Sequence, residues 1–589
     1  LWQLLRRISD IKVFDPACGS GNFLIISFKQ LRTLQYEILE QIDLLRPSGI
    51  NKDSLKETQL IGINNFYGIE IDDFAHELAV LSLHIAHQQM NAEFSNSFGI
   101  SFPIIPLIDA PHIVCANAAR INWQDVCPNK PKPSNKPVIS GTMSLLNDQM
   151  PDYSMGVEQV AEYDEIYLIG NPPYKGAKLQ TKQQKADLQS IFSTDEKYSK
   201  NLDYISIWFI KGARYISGTK ARLAFVSTNS ICQGERVSAL FPKLYENDVE
   251  ISFAYTSFKW RNSARDNAGV TVVIVGLTAC NTRKSGKFLY IDDIAYDVAN
   301  ISPYLTDGVS DIVKKRTSPL CKELPDMDFG SQSIDGGNLF FDVEDFAKMD
   351  DVCASKYARR AVGSNELVKG LDRFCLWIED DAVDDAYKYE VVKNKIQRVK
   401  EFRLHAKSKQ SQAAASIPWK FCSIRFNGRT SLVVPRVSSE RRQYIPMAYV
   451  DNKTVVLDSA LFVEDCPAWL FAILESRMHM VWIRTVCGKL ETRIRYSNTL
   501  GYNTFPVPSL TDDIKSKLNQ SARTILFARE NHSEKTLAEL YDPEKMPDDL
   551  RQAHIQNDLL VDSLYKTTRF RNDEERLSQL FELYEQMVK

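Results

Sequence analysis

Ile11-Lys12-Val13-Phe14-Asp15-Pro16-Ala17-Cys18-Gly19-Ser20-Gly21-Asn22-Phe23-Leu24 decides how this chain is read. An apolar strand runs into a tight turn holding two glycines, and Ile25, Phe28 and Leu31 continue at helical spacing. Gly19 and Gly21 permit close backbone approach and unusual φ, and the helix that follows offers free N–H groups at its start. Such a turn cradles a nucleotide-like cofactor. No third glycine stands at the dinucleotide position, and Asp15 precedes the turn, so this acidic lip suits a cationic or amino-bearing ligand better than a pyrophosphate. Cys18 is expected to be a small filler within it.

Working outward, Phe66-Tyr67-Gly68-Ile69-Glu70-Ile71-Asp72 is a second strand that ends in carboxylates and feeds a helix carrying Ala75, Leu78, Ala79, Leu81, Leu83 and Ile85. In a doubly wound sheet the acid at the end of the second strand binds ribose hydroxyls, and Glu70 is that candidate. Its separation from the glycine turn exceeds the roughly 20 residues of dinucleotide folds, so the first crossover helix is expected to be long, through 31–45. Ile113-Val114-Cys115-Ala116-Asn117-Ala118 reads as the end of a third strand. Farther on, Ile166-Tyr167-Leu168-Ile169-Gly170-Asn171-Pro172-Pro173-Tyr174 is a short apolar strand stopped by an amide, two prolines and an aromatic ring. An Asn side-chain oxygen and a nearby backbone carbonyl accept hydrogen bonds from an exocyclic amine, prolines carry no competing N–H, and Tyr offers a stacking face. An ordinary strand end with a proline turn would use the same residues; the upstream cradle favours a flat amine such as adenine.

Taken in order, Asp-Pro-Ala-Cys-Gly-Ser-Gly-Asn-Phe at 15–23, Gly-Ile-Glu-Ile-Asp at 68–72 and Asn-Pro-Pro-Tyr at 171–174 resemble the S-adenosylmethionine-dependent amino-methyltransferases of DNA, of the adenine N(6) type. The resemblance implies an α/β, Rossmann-like class I domain that binds S-adenosylmethionine through Asp15, Ala17, Gly19, Gly21, Phe23, Glu70, Ile71 and Asn117. It also implies one-step methyl transfer, in which Asn171 and the Pro172 carbonyl orient the amine and Tyr174 stacks on the extruded base. Phe258, ahead of an apolar strand at 270–276, matches the position of a second aromatic against that base. Positioning and local electrostatics then carry the acceleration, and extrusion exposes the target atom in a duplex. The stretches 203–209, opening a helix, and 221–229, a core strand, read as scaffold rather than site; 251–255 reads as a further strand, ending before Phe258.

A length of 589 residues suggests about three domains. The composition, 44% hydrophobic and 25% charged, is that of an ordinary globular chain, with no apolar run of transmembrane length and no signal peptide. The 11 cysteines are scattered without a Cys-x-x-Cys pair or a zinc-spaced Cys/His cluster, so reduced thiols in a cytoplasmic compartment, and no metal site, are expected. A net charge of −3 carries no global nucleic-acid signal, but 391–442 holds 13 lysines and arginines against the acids Glu401 and Glu440. With Phe402, Trp419, Phe421 and Phe426 interleaved, that stretch reads as a phosphate-contacting surface. The acidic run at 379–385 partly cancels it and is expected to face solvent.

The catalytic α/β domain is expected over 1–300, with a Lys/Pro/Ser/Asn-rich loop at 129–141. A mixed α/β target-recognition domain is expected over 301–508, where short strands prevail from about 330 and Asp335-Gly336-Gly337-Asn338 and Phe426-Asn427-Gly428 mark turns. A C-terminal helical segment is expected over 509–589, broken at Asp542-Pro543 and Met546-Pro547.

The second half narrows the resemblance. Gly363-Ser364-Asn365-Glu366-Leu367, Arg373-Phe374-Cys375-Leu376-Trp377, Tyr444-Ile445-Pro446-Met447, the run from Gly488 to Ser497 and Tyr502-Asn503-Thr504-Phe505-Pro506-Val507-Pro508 are similar to the MmeI-like (type IIL) restriction-modification proteins. That family implies double-stranded DNA as partner and a methyltransferase, a recognition domain and a helical segment in one polypeptide. Lys489, Glu491, Arg493 and Arg495 become candidates for base-edge or phosphate contact. The chain starts at Leu1, a few residues before the first motif strand, so the family's upstream helical region, additional cofactor-binding segment and N-terminal nuclease are expected to be absent. The Glu-x-Lys triplet of that nuclease occurs nowhere, and cleavage is not expected of this chain. Two other readings stay open: methylation of cytosine N(4) or a protein glutamine, since Asn-Pro-Pro-Tyr also occurs in glutamine methyltransferases, and a DNA-specificity module inactive as isolated.

Overall fold

The computed structural model describes residues 1–45, 61–99, 110–135, 159–192, 200–260, 270–280, 286–308, 311–341, 343–347 and 349–589. The chain divides into two compact units, Leu1–Cys232 with Arg236–Ser310, and Gln233–Glu235 with Asp311–Lys589.

The first unit is built on strands β1 (Lys12–Asp15), β2 (Phe66–Glu70), β3 (His112–Cys115), β4 (Lys132–Asn135), β5 (Gln159–Glu162), β6 (Ile166–Gly170), β7 (Arg222–Thr228), β8 (Val249–Lys259), β9 (Thr271–Ala279), β10 (Lys287–Ile291) and β11 (Ile294–Val298). Among the described residues its main sheet has nine strands in the order β11-β10-β8-β9-β7-β6-β1-β2-β3. The β7-β6-β1-β2-β3 stretch is parallel, whereas β9 runs antiparallel between β7 and β8. Val13, Phe14, Phe66 and Ile69 are buried, as expected of parallel strands covered on both faces. The chain leaves β1 towards β2 and β3 and returns to β6, so the order reverses between β1 and β6. Ligands of open α/β sheets bind at such a switch point, outside the carboxyl ends of the strands.

The long crossover helix is present as α1 (Asn22–Leu44), and α2 (Asp73–Phe98) follows β2. Leu24, Phe28 and Leu39 of α1 pack with Leu83, Met90 and Phe94 of α2 over Val13 and Phe66. Each fully buried side chain of this kind contributes about 1.5–3 kcal/mol. Leu78, Leu81 and Ile85 instead lie on an exposed stripe of α2 with Phe74. Asp72 caps α2 by accepting the Ala75 N–H at 2.9 Å. The helices α3 (Lys182–Ser190) and α4 (Ser206–Ile216) follow β6; Phe209 of α4 meets Phe225 of β7 edge-on at 5.6 Å.

Two local expectations change. The stretch expected as a loop from residue 129 contains β4, paired antiparallel with β5, while 136–141 lies outside the described residues. Alternating Lys-Pro-Ser-Asn carries no apolar signal for a strand, and the partner supplies the backbone bonds. Strand β8 does not stop before Phe258 but continues to Lys259 through a register shift between Tyr255 and Phe258.

In the second unit an antiparallel four-stranded sheet joins Asp328–Phe329, Ala460–Glu464, Ser431–Pro435 and Ala448–Val450 in that order. A second sheet holds Phe340–Phe341, Phe374–Leu376, Ala358–Val362 and Val455–Val456. The expected turns are present, with Gly336, Gly337 and Gly428 at positive φ. Helices also interrupt the strand-rich stretch, at Glu390–Leu404, Ala468–Leu474 and Arg477–Val486. After residue 509 come Asp512–Glu530, Asp548–Tyr565 and Asp573–Val588; Phe581 and Tyr584 of the last pack against Trp482 at 5.4 and 5.6 Å. Among the described residues no helix is long and apolar enough to cross a membrane.

Candidate active site

The glycine turn after β1 is shaped by two left-handed residues, Gly19 at φ +55 and Gly21 at φ +83, and Gly21 opens α1. Its fastening is Glu70. One carboxylate oxygen accepts the Gly19 N–H at 2.8 Å, and the other accepts the N–H groups of Ile71 and Asp72, each at 2.8 Å. The end of β2 and the turn after β1 are thereby joined through one side chain. Cys18 is buried behind the turn against Gly68, and burial raises its thiol; it is the small filler expected.

Asp15 accepts the Ala17 N–H at 3.0 Å through Oδ1, while Oδ2 is buried without a hydrogen-bond partner among the described residues. Burial pushes its carboxyl up to about 7, against the hydrogen bond from Ala17 and with the nearby Glu70 charge adding to the rise. Gly170, the last residue of β6, lets the two strand ends close up: a Cβ there would lie 2.5 Å from Asp15 Oδ1. Asn171 follows directly, and its Oδ1 is a second buried acceptor without a partner among the described residues.

These residues converge on a cavity of about 470 Å³ lined by Ala17, Glu70, Ile71, Asn117, Asn171 and, from α4, Trp208. That volume is in the range of small-molecule sites. The wall carries a specific set of acceptors: Glu70 and Asn171 stand among apolar residues such as Ala17, Ile71 and Trp208, with Asp15 buried just behind, an arrangement fitted to hydroxyl and amino donors on a flat ring system. A nucleoside bearing an amino group meets that requirement.

The remaining expected residues fall around this centre. Asn117 is on the wall, with its Oδ1 accepting the Ala119 N–H at 2.9 Å. Phe23 is half-buried on the first turn of α1 and does not line the cavity. Pro173 lines it, whereas Pro172 is buried and Tyr174 half-buried beside it. Phe258 is 36% exposed within β8, 6.4 Å from Trp260, and is not on the cavity wall.

The segment read as scaffold contributes to the site. Tyr204 and Trp208 are on the wall, and the Trp208 indole N–H donates to the Pro16 carbonyl at 3.0 Å. From α3, Asp187 closes another side, bonded to Arg120 at 2.9 Å and to the Tyr204 hydroxyl at 3.1 Å. Tyr204, in the turn that leads into α4, and Trp208, on its first turn, meet with ring centroids 5.4 Å apart, and their spacing of four was the available signal. Asp73, His76 and Glu77 at the start of α2 also bring potential ligand atoms within 4.8 Å of one another; exposed acids cluster in this way without an ion.

In the second unit, Gly488–Leu490 and Arg493–Arg495 form a hairpin extended by Val437–Ser438. Glu491 takes a left-handed φ of +59 at the turn and pairs with Arg493 at 2.8 Å. Lys489, Glu491, Arg493 and Arg495 are exposed, and Ile494 anchors the hairpin in the core. Although Lys489 has solvent access, the surrounding protein and Arg484 hold its ammonium below the usual lysine range, opposed by Glu440.

The basic run at 391–442 is not one surface. Arg403 is fully buried, and its guanidinium donates to the carbonyls of Ile334, Ser333, Ala414, Ile417 and Lys420 at 2.6–3.0 Å. Arg436 donates to the Asp458 carbonyl and covers the Phe329 ring. Lys420 pairs with Asp380, and Arg441 with Glu544. Lys393, Arg398, Lys400, Lys407 and Lys409 remain exposed.

Comparison with known proteins finds three family models that follow one another along the chain. Residues 1–291 match the MmeI DNA-methyltransferase domain, 307–509 the MmeI target recognition domain, and 510–589 the MmeI C-terminal domain. The chain belongs to the MmeI family. It is 41% identical over 591 residues to DNA methyltransferase A of Bacillus subtilis (strain 168), covering 100% of this chain and 63% of that protein. The structure of the type IIL restriction-modification enzyme MmeI in complex with DNA superposes with a TM-score of 0.85 at 35% identity, over 100% of this chain and 74% of that one. A putative type II restriction enzyme and methyltransferase of Methanocaldococcus jannaschii is 37% identical over 90 residues, 15% of this chain and 7% of that protein. The chain thus spans under two thirds of the Bacillus relative's length. Its fold follows the MmeI order: an α/β methyltransferase part, a mixed α/β recognition part, then a helical part.

Proposed function

We propose that this chain is the modification part of an MmeI-family restriction-modification protein, acting in the cytoplasm and methylating adenine N(6) in double-stranded DNA with S-adenosylmethionine. The observation that supports it most is Asn171, which lines the cavity that also presents Glu70 and whose Oδ1 is a buried acceptor without a partner among the described residues. A buried acceptor left open costs stability unless a donor arrives. An exocyclic amine is such a donor.

In this reading the methyltransferase part covers 1–300, target recognition 301–508 and the helical part 509–589. Asp15, Ala17, Glu70, Ile71 and Asn117 hold the cofactor, Gly19 and Gly21 shape its turn, and Phe23 packs at the helix start. S-adenosylmethionine supplies an electrophilic methyl group, so no covalent enzyme intermediate is required. Asn171 Oδ1 and the Pro172 carbonyl take the amine hydrogens and so fix the direction of its lone pair. Tyr174 and Phe258 offer their faces to the extruded ring. Lys489, Glu491, Arg493 and Arg495 contact base edges or phosphates.

The test is to expose DNA to the full-length protein and sequence its modified bases. Methyl-adenine at one recurring sequence supports the reading. Methyl-cytosine there would move the activity to another amine, and unmodified DNA despite tight, salt-sensitive binding would leave only a specificity module.

A further inference from the structure

The loop that presents Asn171 has few ways to be held. Its upstream end is fixed by β6, where Gly170 pairs with Phe225. Pro172 and Pro173 then offer no N–H, so the backbone cannot be tied at either residue through a donor. The next anchor is Lys175. Its N–H donates to Asp203 Oδ1 at 2.8 Å, and its carbonyl accepts from the Gln180 side chain at 2.8 Å and the Tyr204 N–H at 3.1 Å. Asp203 also accepts the Ile205 N–H at 3.3 Å, and the Gln180 amide reaches the Leu202 carbonyl at 3.0 Å. Both side chains are withdrawn from water, Asp203 at 5% exposure and Gln180 at 7%. A buried carboxylate is costly, and this one is committed to backbone N–H groups that belong to two different segments.

We propose that Asp203 and Gln180 are positioning residues for methyl transfer. By clamping the Lys175 peptide they fix the downstream end of Asn171-Pro172-Pro173-Tyr174, and with it the direction of Asn171 Oδ1 and the Tyr174 ring. The segment that carries Asp203 also carries Tyr204 and Trp208 to the cavity wall, so one clamp sets the target loop against that wall. Neither residue touches the reacting atoms. This role rests on the methyl-transfer reading given above.

The test compares Asp203→Ala, Asp203→Asn and Gln180→Leu in the full-length protein, reading kcat and KM for DNA separately and measuring cofactor affinity by calorimetry. Misplacement of a reacting group by about 1 Å costs on the order of 100-fold, which is the fall in kcat expected of Asp203→Ala, with KM and cofactor Kd within about twofold. Asn keeps an acceptor oxygen for the Lys175 N–H, so Asp203→Asn is expected to recover to within about fivefold of wild type. Gln180→Leu, which leaves the Asp203 contacts in place, is expected to lose about tenfold in kcat and decides the matter if Asp203→Ala does not fold. Variants that match wild type in kcat, or that lose cofactor affinity in parallel with kcat, overturn the clamp while methyl transfer by the wild type stands. A wild type that methylates no DNA overturns the functional reading, and the clamp's role in transfer with it.

Discussion

Asn171 in the first unit and Arg403 in the second both withdraw polar atoms from water, and they treat them in opposite ways. Arg403 places each guanidinium N–H on a carbonyl, and burial holds it below the usual arginine range with Cys422 and Asp335 opposing. Asn171 Oδ1 and Asp15 Oδ2 stay buried and without a partner among the described residues. A saturated cluster serves the fold, because a ligand can add nothing to it. An open acceptor in a cavity weakens the free protein and favours the state in which a donor fills the site.

The comparison breaks most sharply at Asn171. Asn171→Ala is expected to lower methyl transfer by about 1000-fold while cofactor affinity stays nearly intact, because only the target amine loses its partner. Glu70→Ala is expected to do the reverse, weakening the cofactor first. Labelled-methyl transfer read beside calorimetry separates them, and equal loss of cofactor binding in Asn171→Ala would sink its assignment. Arg403→Met should cost about 4 kcal/mol in urea unfolding, since its carbonyls lose their donors in the core. DNA affinity of the protein that remains folded should not change; a selective loss of DNA binding would return Arg403 to the phosphate surface.

Asp15 sharpens the contrast through pH. Its folded-state carboxyl lies at about 7 against an ordinary 3.8, so the folded protein keeps a proton that the unfolded chain has released. The contribution is fully present below about pH 4 and is lost as pH rises to about 7, on the order of 4 kcal/mol. Cofactor-free protein followed by thermal melting across that window should show the fall, and Asp15→Asn should flatten it. The smallest effect is expected at Arg493, an arginine like Arg403 but exposed and paired with Glu491. Arg493→Ala should weaken specific DNA binding by about 1–2 kcal/mol, relax discrimination at one base pair and leave stability unchanged.

The parts of the site carried by contiguous chemistry were legible in the sequence. Gly19, Gly21, Glu70 and Asn171 stand at strand ends where turn geometry and hydrogen-bonding capacity leave few alternatives. Asp187 and Asp203 were not legible: Asp187 reaches the cavity from a helix whose packing is set by long-range contacts, and Asp203 finds its partner Lys175 28 residues away rather than by local pattern. The basic run misled for a related reason. Charge counting ignores which helix face is inside, and Arg403 continues the buried line of Val392, Ile396 and Val399. That 4-3-4 spacing marked Arg403 as a core residue all along. Phe258 was found in a strand rather than beyond one, since a β-bulge reverses the alternation that locates strand ends.

The Glu70 carboxylate acts as a latch. With Gly19 on one oxygen and Ile71 and Asp72 on the other, it locks the glycine turn to the second strand without any ligand's help. An incoming sugar would find its acceptor already aimed, and little chain entropy would be left to lose on binding. The same latch makes amide substitution costly: Gln at this position would turn an –NH₂ towards backbone N–H groups, so the turn would loosen before any cofactor arrived.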